Sequence, residues 1–121
     1  MLLIYGNQQT WDLLADRGYH DLMKRHVALG DELAASGELL GSGGLTTVDA
    51  RTIRVRDGET AITDGPFAEA KEVLAGYYLI ECDSLERATD IARRIPEAEL
   101  NLVEVRQLTD PRAEYGDGTG G

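Results

Sequence analysis

A single cysteine, Cys82, has no partner in its own chain, so a disulfide scaffold is excluded. Aromatic residues make up only 6% of the 121 residues, with one tryptophan and one phenylalanine, so the core must come mainly from Leu, Ile, Val and Ala. Basic residues are outnumbered 12 to 22 by acidic ones, for a formal charge of −10. With no basic stripe, such a chain repels a phosphate backbone, which argues against nucleic-acid binding and against anionic membrane surfaces. No apolar run approaches the ~18 to 20 residues of a spanning helix. The opening "MLLIYG" has no basic flank or cleavage site and reads as a first strand rather than a signal peptide; the expected location is the cytoplasm.

What is present fits one domain over residues 1–108, followed by a Gly-rich tail over 109–121 expected to be disordered. After the first strand, "NQQTWDLLADRG" reads as a loop and a short helix interrupted at Gly18. "YHDLMKRHVALGDELAAS" then gives the clearest helix, with Tyr19, Leu22, Met23, Val27, Gly30, Leu33 and Ala34 on one stripe and Gly37 as its C-cap. "ELLGSGGLTTV" is a Gly-rich, bulged strand. In "RTIRVRDGETAIT", alternating residues flank Asp57-Gly58, the strongest hairpin signal in the chain. "LAGYYLIEC" is a strand apolar on both faces, and "DSLERATDIARRIP" a helix opened by an Asp83/Glu86 capping box, with Leu85, Ala88, Ile91, Ala92 and Ile95 on its buried side. "NLVEVRQL" closes the set as a strand.

This order predicts an α+β, ferredoxin-like split βαβ fold: an antiparallel sheet with both helices on one face. The strand over 74–82 then leaves an apolar face uncovered. A second copy is the simplest cover, so a homodimer through the sheet faces is expected.

The candidate chemistry is sparse. Neither a metal-ligand spacing nor a phosphate loop, dinucleotide fingerprint or nucleophile elbow is present, so neither metal nor cofactor is expected. His20 and His26 stand roughly 120° apart on the helix and do not share a ligand. His26 falls within the apolar stripe. It is either a structural histidine bonded to a backbone carbonyl or one that meets a carboxylate across the interior. Gly30, one turn on, leaves open space for a ligand. Most acids, including Asp21, Glu32, Glu59, Glu86, Asp90, Glu97 and Glu99, read as solvated, as do Lys71 and Glu72. Asp64 differs because it opens the Gly65-Pro66 corner, either as a capping residue or as part of a site. Phe67 reads as a core plug or a stacking platform, and Tyr77 and Tyr78 as packing residues, one of whose hydroxyls could reach a pocket.

The stretch "TDGPFAEAKEVLAGYYLIE" resembles the signature of the DGPF family within the YCII-related superfamily, and "MLLIYG", "VRDGETAITDGPF" and "RIPEAELNLVEVRQL" are similar to it too. The resemblance covers roughly residues 1 to 108. It implies a dimeric α/β barrel and an active-site dyad whose matching positions are His26 and Asp64. From their places in the sequence, Gly30, Gly65, Phe67 and Tyr78 are the ligand-binding candidates beside that pair. The implied function is a small-molecule site, with acid–base catalysis as one reading. The other is a non-catalytic ligand-binding or regulatory module linked to an extracytoplasmic-function sigma factor.

Overall fold

A computed structural model describes residues 1–15, 17–67 and 71–115. The elements run β1 (Leu2–Gly6), α1 (Gln8–Leu13), α2 (Arg17–Ser36), β2 (Leu39–Gly44), β3 (Arg51–Arg56), β4 (Glu59–Asp64), β5 (Val73–Ile80), α3 (Leu85–Ala92), α4 (Glu97–Leu100), β6 (Leu102–Val105) and α5 (Pro111–Tyr115). Four strands form one antiparallel sheet in the order β2-β5-β1-β6, while β3 and β4 form a separate two-stranded sheet. The architecture is therefore α+β, and its strand order is compatible with a ferredoxin-like arrangement. Of the tail expected over 109–121, Pro111–Tyr115 forms α5 and residues 116–121 lie outside the described part.

The core sits on one face of the four-stranded sheet. Alternation along β1 turns Leu2 and Ile4 inward, and Tyr78 on β5 joins them. Leu29 and Leu33 of α2, Ile91 and Ala92 of α3, and Ile95 close over that layer. The opposite face carries Leu3, Tyr77 and Leu79, which stay half-exposed. Helix α2 ends as its glycine dictates: Gly37 takes φ 82°, and Glu38 N donates to Leu33 O at 3.0 Å while Gly37 N donates to Ala34 O at 3.2 Å. That pair of bonds is a Schellman motif, which satisfies carbonyls the last helical turn leaves over.

Three local expectations need correction. Helix α2 begins at Arg17, so Gly18 lies inside it, and its buried stripe is Leu22, Leu29 and Leu33. Tyr19 and Val27, expected inside, are 57% and 63% exposed because no element packs beyond them. The N-cap of α3 is Ser84, whose hydroxyl accepts from Arg87 N at 3.0 Å; Asp83 and Glu86 make no capping box, and Leu85 points to solvent. Phe67 is no core plug: it is 45% exposed and lies under the Arg54 guanidinium, 5.5 Å from carbon to ring centroid.

Candidate functional site

The site grows from the one place where α2 and the sheet do not meet. Gly30 faces open space, with nothing within 4 Å of where a Cβ would stand. Gly6, Gly43, Gly44 and Gly76 thin the facing sheet, and α1 stands aside from it with Trp11 laid against Gly6. The result is an open pocket of about 1170 Å³ between α1, α2 and the sheet. Its walls are mainly apolar, with Trp11, Leu14, Tyr19, Met23 and Val27 on the helices.

At its inner end three side chains from distant parts of the chain are linked in series. His26 Nδ1 lies 2.7 Å from the Tyr78 hydroxyl, and His26 Nε2 lies 2.7 Å from Glu97 Oε1. The imidazole and phenol rings are stacked at 5.8 Å between centroids. The His26 and Glu97 side chains are only 16% and 14% exposed. An ionised carboxylate only accepts, so Nε2 carries a proton toward Glu97. With the imidazole neutral, Nδ1 accepts from the Tyr78 O–H. With the imidazole charged, Nδ1–H donates to the phenol oxygen, and the phenol proton turns to the His26 carbonyl, 3.4 Å away. Both protonation states thus keep a complete set of hydrogen bonds, and a proton can be taken up or released without leaving a buried donor unpaired.

Burial, and secondly the Glu97 charge, push the Tyr78 phenol up to about 12. It therefore stays a hydrogen-bond donor throughout the physiological range.

Glu97 is the residue that sequence reasoning assigned to solvent. It opens α4, a single helical turn after Pro96, and no periodicity announces so short an element. Glu72 was misread in the same way. Its carboxylate accepts from Asn7 Nδ2 at 3.2 Å and from Asn101 Nδ2 at 3.3 Å, tying the start of α1 to the end of α4 beside the pocket. Asn7 in turn caps α1, its Oδ1 accepting from Thr10 N at 2.9 Å. The other side-chain atom of Asn101, Oδ1, is buried without a partner among the described residues.

The remaining candidates lie as follows. Gly30, Tyr78 and His26 line the pocket together, and exposed His20 stands at its edge. Asp64 does not join His26 within one chain: it ends β4, is 91% exposed, and pairs with Arg51 at 3.4 Å. Gly65 takes φ 91° and closes the base of the hairpin, its N–H donating to Ala50 O at 2.7 Å. Phe67 belongs to the same hairpin surface, away from the pocket. The described residues contain no group of three or more His, Cys, Asp or Glu placed to hold a metal.

The chain matches the YCII-related domain over residues 1–112. It belongs to that family. An uncharacterised protein of Rhizobium meliloti (strain 1021) is 54% identical over 64 residues, a segment that is 51% of this chain and 52% of the relative. The match thus spans about half of each protein, and the relative is itself uncharacterised. Within this YCII-related chain, the Tyr78–His26–Glu97 series is read from its own geometry. No described helix is long and apolar enough to cross a membrane.

Proposed function

We propose that this YCII-related protein, a member of the DGPF branch by its Thr63–Phe67 stretch, binds a small, partly apolar molecule in the α1–α2 pocket and moves a proton on it. The single observation that carries the reading is the His26 imidazole, held between a phenol and a carboxylate at 2.7 Å on each side, at the inner end of an apolar pocket. His26 takes or gives the proton, Glu97 fixes the tautomer and supports the charged ring, and Tyr78 fills the other nitrogen until a substrate group displaces it. Positioned acid–base groups of this kind contribute ~10²- to 10⁴-fold to a rate. A fragment screen read by NMR tests this. Hits should perturb His26, and Gly30→Leu, which fills the open space, should abolish them while the fold persists. Hits that bind elsewhere and are indifferent to Gly30→Leu would remove the site.

A second reading is binding without turnover, and one observation favours it: both imidazole nitrogens are already occupied. It predicts that His26→Gln retains ligand affinity and that no product forms from any ligand found. The sigma-factor link rests on family resemblance alone; recovery of no such partner from native lysate would count against it. The half-exposed sheet face with Leu3, Tyr77 and Leu79 supports a homodimer in a ferredoxin-like, dimeric α/β barrel arrangement, tested by sedimentation equilibrium.

A further inference from the structure

We propose that Glu72 is a positioning residue of the site: from the foot of β5 it sets both where α1 stands as a pocket wall and how α4 presents Glu97 to His26. The proposal rests on the pocket reading above and adds what holds the two least anchored pieces of that pocket.

The topology puts three polar residues at one end of the sheet. In the order β5-β1-β6 the end of β1 lies beside the starts of β5 and β6, with Gly6 opposite Val73 and Tyr5 opposite Leu102. The residues that flank those strand ends are Asn7, Glu72 and Asn101. Glu72 Oε1 accepts from Asn7 Nδ2 at 3.2 Å, and Oε2 accepts from Asn7 Nδ2 and from Asn101 Nδ2, each at 3.3 Å. An ionised carboxylate suits this place, because it only accepts and has two oxygens to offer two amides. Its charge strengthens both bonds.

Neither helix beside it is held by the core. Helix α1 has six residues, too few to persist alone, and its one buried residue is Thr10. Helix α4 is a single turn with no buried residue. Fully buried Ile95 and Pro96 fix where α4 begins. The Arg25–Glu99 pair on its flank is half-exposed or more on both sides and holds little. The far end of the turn is fixed at Asn101, whose backbone N–H donates to Glu97 O at 2.8 Å while its side chain donates to Glu72. A continuous path therefore runs from Glu72 through Asn101 and Glu97 to His26. On the other side, Asn7 caps α1 with Oδ1 and is gripped by Glu72 through Nδ2, and α1 carries Trp11 into the pocket wall. A proton-transfer group works only when its supports hold it to a fraction of an ångström. Glu72 supplies that support from the same strand that carries Tyr78.

Two signals test the two arms without any ligand: exchange of the His26 Nε2 proton with water, by NMR, and acrylamide quenching of Trp11, the single tryptophan. Glu72→Ala should speed the exchange about tenfold or more, the loss of a charged acceptor's bond, and should raise the quenching. Asn101→Ala should speed the His26 exchange. Asn7→Asp keeps the oxygen that caps α1 but loses the donor to Glu72, and should raise the Trp11 quenching. Glu38→Ala is the control. It breaks a carboxylate pairing with Arg87 outside the pocket and should move neither signal, so lost stability is told apart from lost position. Should Glu72→Ala fail to fold, the two asparagine variants decide. The proposal is overturned if Glu72→Ala shifts both signals no more than Glu38→Ala does, or if neither asparagine variant moves its signal. A slow wild-type Nε2 proton untouched by these variants removes the role of Glu72 and leaves the pocket reading standing. A wild-type His26 with no slow proton removes both.

Discussion

Removing Glu97 gives the sharpest test of how the site is built. Its Oε1 sits 2.7 Å from His26 Nε2, and both side chains are about one-seventh exposed, at 14% and 16%. A hydrogen bond with a charged acceptor contributes about 1.5–3 kcal/mol, and the donor left behind by its loss is nearly closed to water. Glu97→Ala should therefore destabilise the fold by roughly 2 kcal/mol, and His26→Ala by a similar amount. The two losses should not add. In a urea double-mutant cycle the pair should show a coupling of about 1.5 kcal/mol or more, whereas unconnected residues add to within about 0.3–0.5 kcal/mol. Coupling inside that additive range would refute the linkage, and with it the argument that Glu97 sets the His26 tautomer.

Other consequences follow from the same geometry. The chain has five tyrosines, and in an absorbance titration two phenols should ionise late, Tyr5, raised by burial and by its bond to Glu104, and Tyr78, near pH 12; Tyr78→Phe should delete the step near pH 12. The sign for stability is fixed by the direction: a phenol raised above its unfolded value of 10 stabilises the fold fully below pH 10, and that contribution is lost as pH rises from 10 toward 12. At the acid end, Arg87 and Ser36 hold the Glu38 carboxyl down to about 2, so its contribution is present above the unfolded value of 4.5 and lost as pH falls toward 2; Glu38→Gln should flatten that part of an acid-denaturation curve. Gly76→Ala would bring a Cβ to 2.9 Å from the Gly43 carbonyl oxygen, a backbone atom that cannot swing aside, and should cost about 1–3 kcal/mol in chemical denaturation.

The regular elements were legible because their signals are local. A short apolar run marked β1, alternation marked the hairpin, Asp57-Gly58 marked its turn, and Gly37 marked the end of α2. The site was only half legible. His26 stood out as an imidazole on an apolar face, and Gly30 as a gap beside it. Glu97 did not, because a four-residue helix has no period and a carboxylate after a proline reads as surface. Nothing local marks its meeting with His26, 71 positions earlier. Tyr19 and Val27 misled for the opposite reason: they fit the apolar stripe, but they border a pocket rather than a packed neighbour. Asp64 was conspicuous for its corner, and in the single chain it pairs with Arg51.

The central claim is that His26 is held between Tyr78 and Glu97, and histidine nitrogen NMR tests it directly, since His20 and His26 are the only two imidazoles to assign. At a pH where the ring is neutral, the account predicts a His26 Nε2–H that exchanges slowly with water, a non-protonated Nδ1, and loss of that slow proton in Glu97→Ala. A His26 spectrum matching exposed His20, or a protonated Nδ1 in the neutral ring, would contradict it.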